Sequence, residues 1–139
     1  MFTATVYRIM IVSLSGAMEE VYVAKETICK WNQQNAECSG RLFMPVEMSE
    51  SPEAIKVVDV VIGIIGDWAV KTSLIDERIL NGKKVILFFQ DYHDPNVSIP
   101  GEIDAINDFK TRVQSLVTCI SFEGRKEFQE QLYNQLQLI

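Results

Sequence analysis

The chain of 139 residues carries 13 Lys+Arg against 19 Asp+Glu, a formal net charge of −6, with 47% hydrophobic and 23% charged residues. That mix excludes a disordered or collagen-like chain and fits one domain over residues 1–139, able to bury roughly two-thirds of its unfolded surface without a metal or disulfide staple. The acidic balance argues against a duplex-binding protein, which needs a basic face to displace counterions, so no nucleic-acid partner is expected.

No apolar run reaches the roughly 20 residues of a membrane span. The longest, Val57 to Ile65, is interrupted by Asp59, so no membrane partner is expected. The start, Met1-Phe2-Thr3-Ala4-Thr5-Val6, lacks the basic stretch, apolar stretch and cleavage site of a signal peptide. Cys29, Cys38 and Cys119 form an odd set without C-x-x-C, which disfavours zinc and a disulfide framework and points to a reducing cytoplasm.

Along the chain, the apolar period alternates between strand and helix. Val6 to Leu14 is β-branched and nearly continuous, as in a strand buried on both faces. Ala17 to Asn35 follows as a long helix, with Val21, Ala24, Ile28 and Trp31 on one stripe. Glu19 and Glu20 lie at the start of the helix ahead of Lys25 and Lys30, with Glu26 between the two lysines, an overall order that the helix dipole favours. Asn35 and Ser39-Gly40 close the segment. Arg41 to Val46 is a second strand, and Pro45 suits an edge position. Ser51-Pro52-Glu53 opens a short helix, and Val57 to Ile65 is the most apolar strand, fit for the sheet centre. Thr72 to Asn81 is a helix with Ile75 and Ile79 on one face, ended by Gly82. Lys83 to Phe89 is a strand, Gln90 to Pro100 a polar loop, and Glu102 to Gln114 a helix with Ile106, Phe109 and Val113 in register. Leu116 to Phe122 is the last strand and Gly124 to Leu136 the closing helix, with Phe128, Leu132 and Leu136 inward.

Five βα units imply an α/β flavodoxin-like three-layer domain: a five-stranded parallel sheet of order 2-1-3-4-5 with helices on both faces. Ligands of such sheets bind beyond the carboxyl ends of the strands, where strand order reverses. That places Ser13, Ser15 and Gly16 after strand one, and Gly66, Asp67 and Trp68 after strand three, as ligand-binding candidates. Glu47 and Gln90 to Asp94 extend the rim. Ser15 serves equally as a helix N-cap, or as part of a small-residue turn whose free N–H groups receive a phosphate or carboxylate. Ser-Leu-Ser-Gly is neither G-x-G-x-x-G nor a Walker loop, so neither a dinucleotide dehydrogenase nor a P-loop kinase is supported. Trp68 is suited to stacking on a base or to covering the sheet end. Asp91-Tyr92-His93-Asp94 has no second His or neighbouring Cys, so no metal is expected. Asp76 and Glu77 are the carboxylates on the helix after strand three, where a desolvated acid does nucleophilic or acid–base work and a solvated one pairs with Arg78.

Ser13-x-Ser15, Glu20, Glu26, Ile28 and Trp31-Asn32-x-x-Asn35, followed by an apolar strand ending in Pro45, resemble a family of bacterial domains of unknown function. Those domains are similar in fold to nucleoside 2-deoxyribosyltransferases and TIR domains. The resemblance is continuous from Tyr7 to Asn35 and looser as far as Phe89. Where the family has Asp after the second Ser, Gly16 stands here; its Trp-Glu after strand two is replaced by Glu47-Met48. Of the segment before strand three only Glu53-Ala54-Ile55-Lys56 remains, and the turn Ile65-Gly66-Asp67-Trp68 lacks the family's Arg. The family's catalytic Glu, counted back from Gly82-Lys83, falls at Leu74.

The resemblance therefore implies a TIR/deoxyribosyltransferase-like domain that has lost its catalytic acid. Its expected role is a pseudoenzyme that sequesters or senses a nucleotide-derived small molecule of the NAD or ADP-ribose type, as a sponge or decoy in conflict between phage and bacterium, with no cofactor. Two alternatives stand beside it: a protein-interaction decoy or inhibitor, and an active N-glycosidase or nucleoside transferase. In the latter, Glu77, Asp76 or Glu47 would capture an oxocarbenium-like sugar. The partners expected are thus the small molecule or a protein, and a homo-oligomer formed through helices on a sheet face.

Overall fold

A computed structural model describes residues 1–13, 18–46, 56–66, 82–91 and 100–139. The described elements are β1 (Thr5–Ser13), α1 (Met18–Ser39), β2 (Arg41–Val46), β3 (Val60–Ile65), β4 (Lys84–Gln90), α2 (Pro100–Val113), β5 (Thr118–Phe122) and α3 (Arg125–Leu138). All four strand pairings are parallel, in the order β2-β1-β3-β4-β5. This is the flavodoxin-like arrangement that the alternating periods predict. The predicted helices around Pro52 and over Thr72–Asn81 lie outside the described residues, apart from Lys56.

Every residue of β3 is buried, as its unbroken apolar run requires of a central strand. The two edges fall on β2 and β5. Pro45 accordingly sits on an edge strand, opposite Ile9.

Alternation along the strands divides the core into two layers. Ile9, Ile11, Ile62, Ile64, Ile86 and Phe88 face α1 and α3, where they meet Ile28, Trp31, Phe128 and Leu132. Met10, Val12, Val61, Leu87 and Phe89 face α2 and meet Ile106, Phe109 and Val113. All the inward residues predicted on α2 and α3 are buried, and on α1 only Val21 is half-exposed.

The differences from the predicted boundaries have local causes. β3 begins at Val60, not at Val57, because the Asp59 carboxylate accepts the Arg8 N–H at 2.8 Å while the Asp59 N–H donates to the Arg8 carbonyl at 2.9 Å. A side chain thus takes a ladder position that a backbone carbonyl would otherwise fill. α1 runs past Asn35 by one turn. Asn35 bonds within and across helices, its Nδ2 donating to the Trp31 carbonyl at 3.0 Å and to the Tyr133 hydroxyl at 2.8 Å. The helix stops at Gly40, whose φ of 69° belongs to the left-handed region and whose N–H donates to the Ala36 carbonyl.

Candidate functional site at the carboxyl rim

Ser13, Gly66 and Gln90 are the candidate residues that lie within the described chain, and the sheet brings them together. Ser13 closes β1 and is paired with Ile64 of β3. Gly66 follows β3 directly, and the Ile65–Phe89 pairing places it level with Gln90 at the end of β4. The three occupy neighbouring strands, two strand spacings or about 10 Å across, with Ser13 two residues, about 7 Å, short of the level of Gly66 and Gln90. Ser13 shares the parity of Ile9 and Ile11, and Gln90 that of Ile86 and Phe88, so both side chains stand on the α1/α3 face. Gly66, between them, is buried and adds no side chain.

The Ser13 hydroxyl is buried and has no hydrogen-bond partner among the described residues. A hydroxyl in that state forfeits its hydration and receives nothing in return. It sits beside the boundary between β1 and β3, where strand order reverses.

The same face at the same end of the sheet carries the first turns of α1 and α3. The Arg125 guanidinium forms an ion pair with Glu19, joining the two helices. Below it lies a small cavity of about 100 Å³ lined by Glu19, Glu20, Val23, Arg125 and Phe128. The Phe128 ring packs 5.1 Å from both Phe88 and Phe122. Phe88 precedes Gln90 on its face, and Phe122 is the β5 partner of Gln90. Arg125 is the rim residue that the sequence reading passed over. Its signal was available, because the segment after β5 opens onto the same rim as those after β1 and β3.

The chemistry on offer is hydrogen bonding and one cation. Ser13 and Gln90 both donate and accept, and Arg125 is held ready for an anionic group by a solvated pair with Glu19. The described acids at this end are Glu19, Glu20, Asp91 and Glu123, and none is buried. Ser15, Gly16, Glu47, Asp67, Trp68, Asp76, Glu77 and His93 lie outside the described residues. No group of three or more metal-ligating side chains occurs among the described residues.

Cys119, on the α2 face of β5, is the described residue with a perturbed titration. Burial pushes its thiol up, and the Lys110 ammonium partly offsets this. It lies away from the Ser13–Gln90 row.

No protein-family model and no curated protein matches the chain. Among solved structures, it is similar to a short-chain flavodoxin associated with a bacterial microcompartment. The TM-score is 0.51 at 11% identity, with 99% of each chain covered. The class defined by topology and by this likeness is the flavodoxin-like α/β fold. No described helix is long and apolar enough to cross a membrane.

Proposed function

We propose that the chain is a catalytically impaired TIR/deoxyribosyltransferase-like binding protein that sequesters or senses a nucleotide-derived small molecule of the NAD or ADP-ribose type at the carboxyl rim. The observation that supports this reading is the Ser13 hydroxyl, buried without a hydrogen-bond partner among the described residues where strand order reverses, two residues short of the Gly66–Gln90 end of the sheet. A ligand hydroxyl or phosphate oxygen there would supply the missing hydrogen bond, and Gln90 on the same face would supply a second polar contact.

Calorimetry tests it, with NAD, ADP-ribose, cyclic ADP-ribose, nucleosides and flavin mononucleotide as separate titrants. Base release is followed in the same mixtures. One-to-one binding of an ADP-ribose-type ligand without base release is expected. Ser13→Ala is expected to weaken that binding about tenfold, the loss of one hydrogen bond. It should also stabilise the ligand-free protein by about 1 kcal/mol, because it removes a buried hydroxyl that has no partner. Silence across the panel, binding of the flavin alone, or release of nicotinamide each overturns the reading.

A further inference from the structure

On the outer side of the α1/α3 layer, away from the sheet, the two helices leave a groove of about 510 Å³. Its walls carry Glu26, Lys30 and Gln34 from α1, and Lys126, Glu130 and Tyr133 from α3. The helices run in the same direction, since each follows a parallel strand back from the carboxyl to the amino edge. The Tyr133 hydroxyl donates to Gln34 Oε1 at 2.7 Å, which fixes their relative height. One turn back along both helices, Lys30 stands level with Glu130, and a further turn back Glu26 stands level with Lys126. The result is a checkerboard: acid and base on the upper rung, base and acid on the lower.

All four charged side chains are exposed, and no ion pair joins any two of them. The groove holds the opposite charges apart. Tyr22, 65% exposed, stands on α1 one turn before Glu26 and adds an apolar ring beside the charges.

A checkerboard of this form is complementary to itself. Two copies brought face to face about a two-fold axis along the helices set Glu26 against the second copy's Lys126, and Lys30 against its Glu130. With the axis across the helices, Glu26 meets the second copy's Lys30, and Glu130 meets its Lys126. Either way four unlike pairs form and no like pair does, as an isologous interface requires. α1 has 22 residues. It is about 33 Å long, so the two-helix face offers roughly 600 Å² per subunit, near the lower end of standard interfaces.

We infer that the α1/α3 groove seats a second copy of this chain in a face-to-face two-fold pair. The pair is charge-matched and modest in area, so it forms in the micromolar range and weakens as salt rises. It leaves the carboxyl rim open and stands independently of the ligand reading.

Sedimentation velocity across the micromolar range reads the result. The expected wild-type mass rises from one copy to two with concentration, and falls back in high salt. Lys30→Glu should raise the dissociation constant about tenfold or more, because two symmetry-related attractions become repulsions. Exposed charge changes on a helix scarcely alter folding, and a melting curve checks this. The double variant Lys30→Glu/Glu130→Lys restores pairing if the axis lies along the helices, and Lys30→Glu/Glu26→Lys restores it if the axis crosses them. A monomer at every concentration, a dimer untouched by Lys30→Glu, or failure of both double variants to restore pairing overturns the proposal.

Discussion

On the α1/α3 side of the sheet, two groups of aromatic rings pack, one towards each edge, whereas on the α2 side the described residues form one ring pair. Tyr7, Phe43 and Trp31 form one chain of rings, with centroids 5.6 and 4.7 Å apart. Phe88, Phe128 and Phe122 form another. Hydrogen bonds then tie this layer together. Asn32 Nδ2 donates to the Phe43 carbonyl at 2.7 Å while its Oδ1 accepts the Phe43 N–H at 3.0 Å. Asn35, Tyr133 and Gln34 join α1 to α3. Across the sheet, α2 meets it through the Phe89–Phe109 ring pair at 6.3 Å. The Lys110 ammonium bonds the Ser121 hydroxyl at 2.8 Å and lies over the Phe89 ring at 5.3 Å. The contrast teaches where precision is needed. Ser13 and Gln90 stand on the cross-linked side, so the polar side chains of the rim are backed by packed rings beneath them.

The largest test of that contrast compares two buried rings. Phe128 is fully buried between two other rings, and Phe109 meets one described ring and the underside of Arg112. Both rings are almost fully buried, at 0% and 1% exposure, so Phe128→Ala and Phe109→Ala should each cost about 3–5 kcal/mol. A loss at Phe109 much smaller than that at Phe128 in urea denaturation would show that the two layers differ in packing. The next effect in size is at Asn32. Asn32→Ala strands a half-buried backbone N–H and carbonyl of Phe43 and should cost about 1–3 kcal/mol. Asn32→Asp should cost at least as much at neutral pH, because a carboxylate replaces the donor to the Phe43 carbonyl. If Asp is tolerated better than Ala, the amide does not clamp the edge strand.

The strands were legible because a sheet covered on both faces needs unbroken β-branched runs, and Val60 to Ile65 supplies one. The inward faces of α2 and α3 were legible for the same reason: burial leaves a periodic trace. What escaped depends on side chains acting on distant backbone. Nothing local in Asp59 shows that its carboxylate will take a ladder bond from Arg8, 51 positions away. Nor does Asn35 show that Tyr133, 98 positions on, will accept its amide proton and leave the helix free to continue. At the rim, Ser13 and Gly66 followed from strand order alone. The rim position of Arg125 follows in the same way from the segment after β5, but its pairing with Glu19 exists only once two helix starts meet. The checkerboard of Glu26, Lys30, Lys126 and Glu130 needs the relative height of two helices, which no single-helix pattern contains.

The smallest expected effect lies on the α2 side. Cys119 is half-buried on the edge strand β5, and burial holds its thiol above its ordinary value of 9.0 in the face of the Lys110 charge. A raised folded-state value means that the folded chain keeps this proton at a pH where the unfolded chain releases it. The resulting stability is whole below pH 9.0 and is lost as pH climbs from there through the folded value. Cys119→Ser should therefore flatten the decline of stability above pH 9, measured by urea midpoints against pH. Cys29 and Cys38 are exposed on α1 and give an internal reference. A thiol reagent at pH 8 should consume both before Cys119, because the thiolate is the reacting form and access is required. If Cys119 reacts as fast as the other two, the α2 layer opens on the timescale of labelling, and the contrast between the layers becomes one of dynamics as well as packing.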